Sequence, residues 1–308
     1  MHDRTEGHKG PGDSPDALAR PCLESMAQVD LGALTHVGKV RKNNEDHYLV
    51  GRLGRSLEPL MTNLPPDALP ARLAEYGYGM IVADGMGGAA AGEVASRLAI
   101  SLLVSLVVDT AKWGRRIDDQ EVKALGERML GYYSAIHSTL TQQSEAEPEL
   151  SGMGTTLTVA YSFCSDLFVA HVGDSRAYLF RTGMLHRLTR DHTVAQALAD
   201  RGEIPPEAVA RHRYRHVLTN VLGGRSGHVE TEFQHFRLED GDRLLLCSDG
   251  LSDMVNDEAI AGVLRRHPAS EEACRRLVDL ALQAGGKDNV TAIVARYAFP
   301  AQAQDSGV

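Results

Sequence analysis

The sequence predicts an α+β fold in which antiparallel sheets are covered by pairs of helices. Three observations carry this. Two helical patterns, 89–108 and 119–143, follow one another between strand-like segments. Three strands, 155–163, 166–172 and 176–181, then come with no helix between them. Two more helices, 257–266 and 271–284, are again paired before a closing strand at 289–297. Strict alternation of strand and helix would indicate a doubly wound parallel sheet instead.

The elements follow in order. Residues 1–27 are rich in Gly, Pro, Asp and His and read as a disordered tail. A strand begins at Val29 and turns at Gly38, and "DHYLV" (46–50) is a second. Segment 51–77 holds four prolines, Pro59, Pro65, Pro66 and Pro70, and reads as a loop insertion with one helical turn at 71–75. "YGMIVA" is a buried strand. The helix over 89–108 places Val94, Leu98, Leu102 and Val108 on one stripe. After the strands at 155–181 come a helix at 194–201 and strands at 229–237 and 243–248. Ser270 reads as an N-cap, and Gly285-Gly286 as the stop of the helix that follows it.

The chain has 308 residues, 43% apolar and 24% charged, enough for a substantial core. A net charge of −9 argues against nucleic acid, whose binding depends on cationic contacts to phosphate. Cys22, Cys164, Cys247 and Cys274 are widely spaced and read as reduced thiols of a cytoplasmic protein. The N-terminus has no apolar core of a signal peptide, and "LAISLLVSLVV" (98–108) is too short to span a bilayer, so no membrane partner is expected.

The chemistry lies in the acidic residues at strand ends. "LLLCSDGLSD" runs an apolar strand into Asp249 and Asp253, and "VADGMGG" does the same at Asp84-Gly85. Glu45 and Asp46 in "NNEDHY", Asp174 in "HVGDSRAY" and Asp288 in "GGKDNVT" complete the set. An isolated Asp-Gly is usually a turn. Carboxylates gathered at one sheet edge would repel one another, and a hard divalent cation resolves the conflict.

The motifs "GKVRKNNEDHY", "VADGMGG", "GMGTT", "HVGDSRAYLF", "LTRDHT", "LTNVLGG", "LLLCSDGLSD" and "GGKDNVTAIV", in this order over 29–297, resemble the bacterial form of the metal-dependent 2C-type protein serine/threonine phosphatases. The resemblance implies a four-layer αββα sandwich over 28–299, a flap at about 192–217 and a short C-terminal tail at 300–308. It implies two Mn²⁺ or Mg²⁺ ions and a weaker third. Asp84 would bridge the pair, the Gly85 carbonyl would bind one ion, and Asp249 and Asp288 would hold the other. Asp46 and Glu45 would act through metal-bound water or directly in the acidic cluster. Asp174 and Asp253 would hold the third ion, and Arg41 would grip the substrate phosphate. The implied reaction is hydrolysis of phosphoserine and phosphothreonine in proteins, opposing a bacterial serine/threonine kinase, by a monomer. Asp84, Asp249 and Arg41 would be the catalytic residues.

The chemistry fits without the family. Paired cations lower the pKa of a water, and a guanidinium fork donates two parallel hydrogen bonds to phosphate. The bland reading of "KVRK" is a solvated basic turn. Many eukaryotic relatives carry a His after the bridging Asp-Gly; here Met86 stands there and cannot act as an acid. His47 and His192 read as structural donors. In the flap, Arg211, Arg213 and Arg215 form a basic cluster, and His212 and His216 stand at i, i+4 with no further zinc ligand evident in the sequence. A non-catalytic phosphoprotein-binding module on the same fold is the alternative. A nuclease or phosphodiesterase is disfavoured by the net charge.

Overall fold

The computed structural model describes residues 27–57, 61, 73–87, 91–110, 117–224 and 227–300. The expected tails, apart from Ala27 and Pro300, lie outside these residues, as does most of 58–72. In chain order the strands are β1 (Gln28–His36), β2 (Asp46–Leu57), β3 (Leu73–Met86), β4 (Gly154–Thr155), β5 (Leu157–Phe163), β6 (Asp166–Val172), β7 (Arg176–Arg181), β8 (Met184–Arg187), β9 (Leu222–Gly223), β10 (Glu232–Arg237), β11 (Arg243–Cys247) and β12 (Val290–Ala298). The helices are α1 (Ala91–Thr110), α2 (Asp119–Ala146), α3 (Val194–Asp200), α4 (Asp249–Ser252), α5 (Asp257–Arg266) and α6 (Ser270–Gln283).

One sheet runs β1-β12-β11-β7-β8. The other runs β10-β6-β5-β3-β4-β9, with β2 paired to β3. All the pairings are antiparallel. The fold class is therefore α+β with two antiparallel sheets, as the element order predicts. The sheets meet through Met80, Val82, Leu167, Val169, Leu244, Leu246 and Ile293. On the outer faces, α1 and α2 cover Ile81, Ala83, Val159 and Ala170, while α4, α5 and α6 cover Leu245, Cys247, Ala292 and Val294. These alternations explain the unbroken apolar runs "MIVA" and "LLLC". Both faces of each strand are buried, so the period of two disappears from the sequence.

Several elements differ from expectation. Strands β2 and β3 form one long hairpin, in register from Asp46↔Asp84 to Leu57↔Leu73. Segments 51–57 and 73–77 are thus ladder, not loop, and 73–75 is strand rather than a helical turn. Continuous backbone pairing outweighs the local Gly and charge content. Ser270 opens α6 and does not cap it. Its N–H donates to Asp30 Oδ2 and its hydroxyl donates to the Asp30 carbonyl, both at 2.8 Å, so a residue of β1 satisfies the helix end. Gly285 and Gly286, with φ of 131° and 53°, end α6 as read.

By length and composition, Ala91–Asp109 of α1 is apolar enough to cross a membrane, contrary to the shorter window read above. Its Ala91, Ala95, Ala99, Ile100 and Leu103 are buried against the sheet. Cys247 and Cys274 are free and buried. Cys164 is disulfide-bonded, which corrects the expectation of four reduced thiols. It sits half-buried in the β5–β6 turn with a φ of 53°.

Candidate active site

Both sheets deliver carboxylates to one edge of the sandwich. Asp46 opens β2 and faces Asp84 across the ladder. Asp174 lies in the turn that carries the chain from β6 in one sheet to β7 in the other. Asp249 begins α4 directly after β11, Asp253 ends that single turn, and Asp288 stands just before β12. Asp84, Asp174, Asp249, Asp253, Asp288 and Glu45 line a cleft of about 650 Å³, with Arg41 also on its wall. Asp46 is 3% exposed and supports the group from beneath.

Specific contacts fix these side chains. Asp46 Oδ2 accepts from Ser248 Oγ and Thr291 Oγ1, each at 2.7 Å. Its Oδ1 is buried with no hydrogen-bond partner, and so is Oδ1 of Asp249. The Asp84 peptide is clamped on both sides. Its N–H donates to Thr156 Oγ1, and its carbonyl accepts from Thr155 Oγ1 and the Thr156 N–H, all at 2.9 Å. At Gly85 a Cβ would collide with the Gly92 carbonyl, so only glycine lets this backbone approach so closely. Asn289 accepts from the Glu45 N–H at 2.8 Å and donates to the carbonyls of Val37 and Asn43 at 2.9 Å. It thereby holds the loop that presents Arg41 and Glu45.

The cluster is electrostatically frustrated. Burial, then the charges of Asp46, Asp249, Asp174 and Asp288, pushes the Asp84 carboxyl well above the usual range. Asp249 is raised in the same way, first by burial and then by Asp174 and Asp253. Burial raises Asp46 to about 6 and Asp174 to about 7, the latter helped by Asp191 and Asp253. Arg41 answers one charge, donating to Asp288 Oδ2 at 2.6 Å from a side chain 55% exposed. Two residues after Asp174, Arg176 makes a two-pronged pair with Asp191 at 2.9 and 2.6 Å, and its charge offsets only part of the rise at Asp174. An all-oxygen set with buried, unpartnered carboxylate oxygens is what a hard divalent cation takes as ligands.

A sequence profile of protein phosphatase 2C matches residues 66–284. Protein phosphatase PhpP of Streptococcus pneumoniae is 32% identical over 266 residues, covering 85% of this chain and 95% of that protein. The chain belongs to the protein phosphatase 2C family. Serine/threonine protein phosphatase PstP of Mycobacterium tuberculosis is 40% identical over 274 residues, or 88% of this chain, and the chain spans only 46% of that protein's length. A crystal structure of the PstP catalytic domain with two manganese ions aligns with a TM-score of 0.69 at 37% identity, covering 89% of this chain and all (100%) of that one.

Within this phosphatase 2C fold, the expected residues Glu45, Asp84, Gly85, Asp174, Asp249, Asp253 and Asp288 all line one cleft, and Asp46 lies under it. The supporting residues Thr155, Thr156, Ser248, Thr291 and Asn289 carry no local sequence signal of this role, although "GMGTT", "CSD" and "DNVT" contain them. His47 bonds Ser96 Oγ at 2.9 Å, and His192 Nδ1 accepts from the Gly173 N–H at 3.1 Å. Both are structural, and His192 steadies the turn that bears Asp174. Met86 lines the cleft, 39% exposed. His212 and His216 do not share a helix face. A 3₁₀ helix ends at Arg211, and the rings part company: His212 packs edge-on to Tyr214 at 5.5 Å, while His216 Nδ1 lies 3.0 Å from Asp253 Oδ2. Further ligand-type atoms near His216 therefore exist, on a segment distant in sequence.

Proposed function

We propose that this chain hydrolyses phosphoserine and phosphothreonine in proteins, using divalent cations held in the carboxylate cleft. The observation that carries the reading is the pair of buried carboxylate oxygens without partners, Asp46 Oδ1 and Asp249 Oδ1, within a cluster whose charges raise one another's pKa. Phosphatase names among the relatives and the two manganese ions of the PstP structure support it.

Asp84, the Gly85 carbonyl, Asp249, Asp288 and Asp46 would hold two Mn²⁺ or Mg²⁺ ions, and Asp174 with Asp253 would hold a weaker third. Bound cations supply Lewis acidity, lowering the pKa of water and offsetting charge on phosphoryl oxygens. Thr155 and Thr156 keep Asp84 aimed by fixing both sides of its peptide. Arg41, at the mouth, turns from Asp288 to the substrate phosphate and orients it with two parallel hydrogen bonds. Met86 has no proton to give, so the proton for the leaving oxygen comes from elsewhere in the cleft. The natural partners are phosphorylated proteins, among them a serine/threonine kinase or its targets. The catalytic unit is 28–299, acting as a monomer. A cytoplasmic location rests on the free thiols of Cys247 and Cys274; the disulfide at Cys164 stands against a fully reduced chain.

The test is phosphate release from a phosphothreonine peptide by protein stripped with EDTA and reloaded with Mn²⁺. Release that appears only with the metal supports the reading. Peptide binding without release favours the non-catalytic module. Cleavage of bis(p-nitrophenyl) phosphate in preference to the monoester favours a phosphodiesterase.

A further inference from the structure

The flap places an imidazole against the carboxylate cleft. Strand-like pairing fixes its base: Thr193 bridges Leu218, Val194 N–H donates to the Val217 carbonyl at 2.8 Å, and Thr219 N–H donates to the His192 carbonyl at 2.9 Å. His216 is the residue just before this clamp, so its position is set by backbone and not by a free loop. Its Nδ1 lies 3.0 Å from Asp253 Oδ2. One ligand atom each from His216, Asp249 and Asp253 lie within 4.8 Å of one another.

An ordinary His–Asp ion pair explains only part of this. It leaves Asp249 Oδ1 buried and without a hydrogen-bond partner. A cation would satisfy all three groups at once. Metal–ligand bonds of about 2.1 Å put adjacent ligands about 3 Å apart and opposite ones about 4.2 Å apart. The His216–Asp253 separation matches an adjacent pair, and the 4.8 Å limit accommodates the rest after slight contraction.

We infer that His216 is a flap-borne ligand of the third ion proposed above at Asp253, which with an oxygen of the neighbouring Asp249 becomes a mixed nitrogen–oxygen site that ties the flap to the catalytic cleft. This deepens the metal-dependent reading above and rests on it for the cleft's role in hydrolysis. Magnesium prefers oxygen ligands and keeps its waters, whereas an imidazole suits transition ions. The site therefore takes Mn²⁺ in preference to Mg²⁺, and its occupancy sets how firmly the flap is held over the substrate path. Arg211, Arg213 and Arg215 on the same exposed segment report that state, because trypsin cuts after them when the flap is loose.

The experiment uses the full chain labelled with ¹⁵N-histidine and loaded with Mn²⁺, read by pulsed electron paramagnetic resonance. The expected result is a histidine nitrogen coupled to manganese in the wild type and lost in His216→Gln, while His212→Gln keeps it. Mn²⁺, but not Mg²⁺, should slow tryptic cleavage of the flap by about tenfold or more, an effect on the scale of disturbing a metal's surroundings, and His216→Gln should abolish that protection. Absence of nitrogen coupling in the wild type at saturating Mn²⁺ overturns the inference, as does the same coupling in His216→Gln. Phosphopeptide turnover is followed in the same samples. Turnover without nitrogen coupling overturns the flap ligand alone. Coupling without turnover overturns the proposed activity and supports the ligand assignment.

Discussion

Asp46 has one carboxylate oxygen that accepts two hydroxyl hydrogen bonds and another that accepts none. That asymmetry orients the bare oxygen, and it is a residue-scale signature that composition cannot give. Arg41 is the exposed counterpart. Lysine there keeps a charge but loses the planar fork, so Arg41→Lys should lower kcat/KM by roughly 1.5–3 kcal/mol with Mn²⁺ affinity near wild type. Unaltered steady-state kinetics would reduce Arg41 to a surface residue. Asn289 is 5% exposed and satisfies three backbone groups of the Arg41 loop. Asn289→Ala should cost about 1–3 kcal/mol of stability and raise KM more than it lowers kcat, because the loop proposed to present Arg41 to the phosphate loosens. Thermal denaturation and peptide kinetics check both parts; a wild-type KM would mean that the loop holds its shape without Asn289.

At the scale of elements, the single turn α4 carries Asp249 and Asp253 and packs directly on the start of β12. A Cβ at Gly250 would strike the Asn289 carbonyl. Gly250→Ala should therefore destabilise by about 1–3 kcal/mol, like other forced overpacking, lowering Tm by about 2–4 °C per kcal/mol. An unchanged Tm would show that α4 can shift freely, which the tight placement of Asp249 argues against. Elements with strong periodicity were legible: α2, α5, β7 and β12 fall where the sequence places them. The β2–β3 hairpin was not, because a ladder twelve residues long in each strand's pairing tolerates glycine and charge that read locally as loop. Short pieces such as α4, β8 and β9 have too few residues to leave a pattern.

Over the whole molecule, the sequence revealed the carboxylates but not what holds them. Asp-Gly and Gly-Asp at the ends of apolar strands are conspicuous, whereas Thr155, Thr156, Ser248 and Thr291 look like any strand residues. His216 was visible as a histidine, but its contact with Asp253 joins segments 37 positions apart, which no local pattern reports. The assembled cluster has a consequence for stability. With raised pKa values, the folded metal-free chain binds protons that the unfolded chain releases. That stabilisation is fully present below the unfolded value of about 3.9. It is lost as pH rises through about 6 for Asp46 and about 7 for Asp174. In EDTA, Tm should fall between pH 5 and pH 8, and Mn²⁺ should restore it most at the alkaline end. A flat or rising Tm in EDTA would mean that the carboxylates are not held close together without metal.

We propose above that Asp84 and Asp249 hold the ions on which hydrolysis depends. The decisive measurement is Mn²⁺ calorimetry paired with phosphate release from a phosphothreonine peptide, on wild type, Asp84→Asn and Asp249→Asn. The neutral amide keeps the shape but binds a hard cation poorly. Each variant should keep a near-native circular dichroism spectrum, bind fewer Mn²⁺ ions or bind them far more weakly, and lose nearly all turnover. Wild-type Mn²⁺ binding together with substantial turnover in either variant would mean that these two carboxylates do not hold the ions.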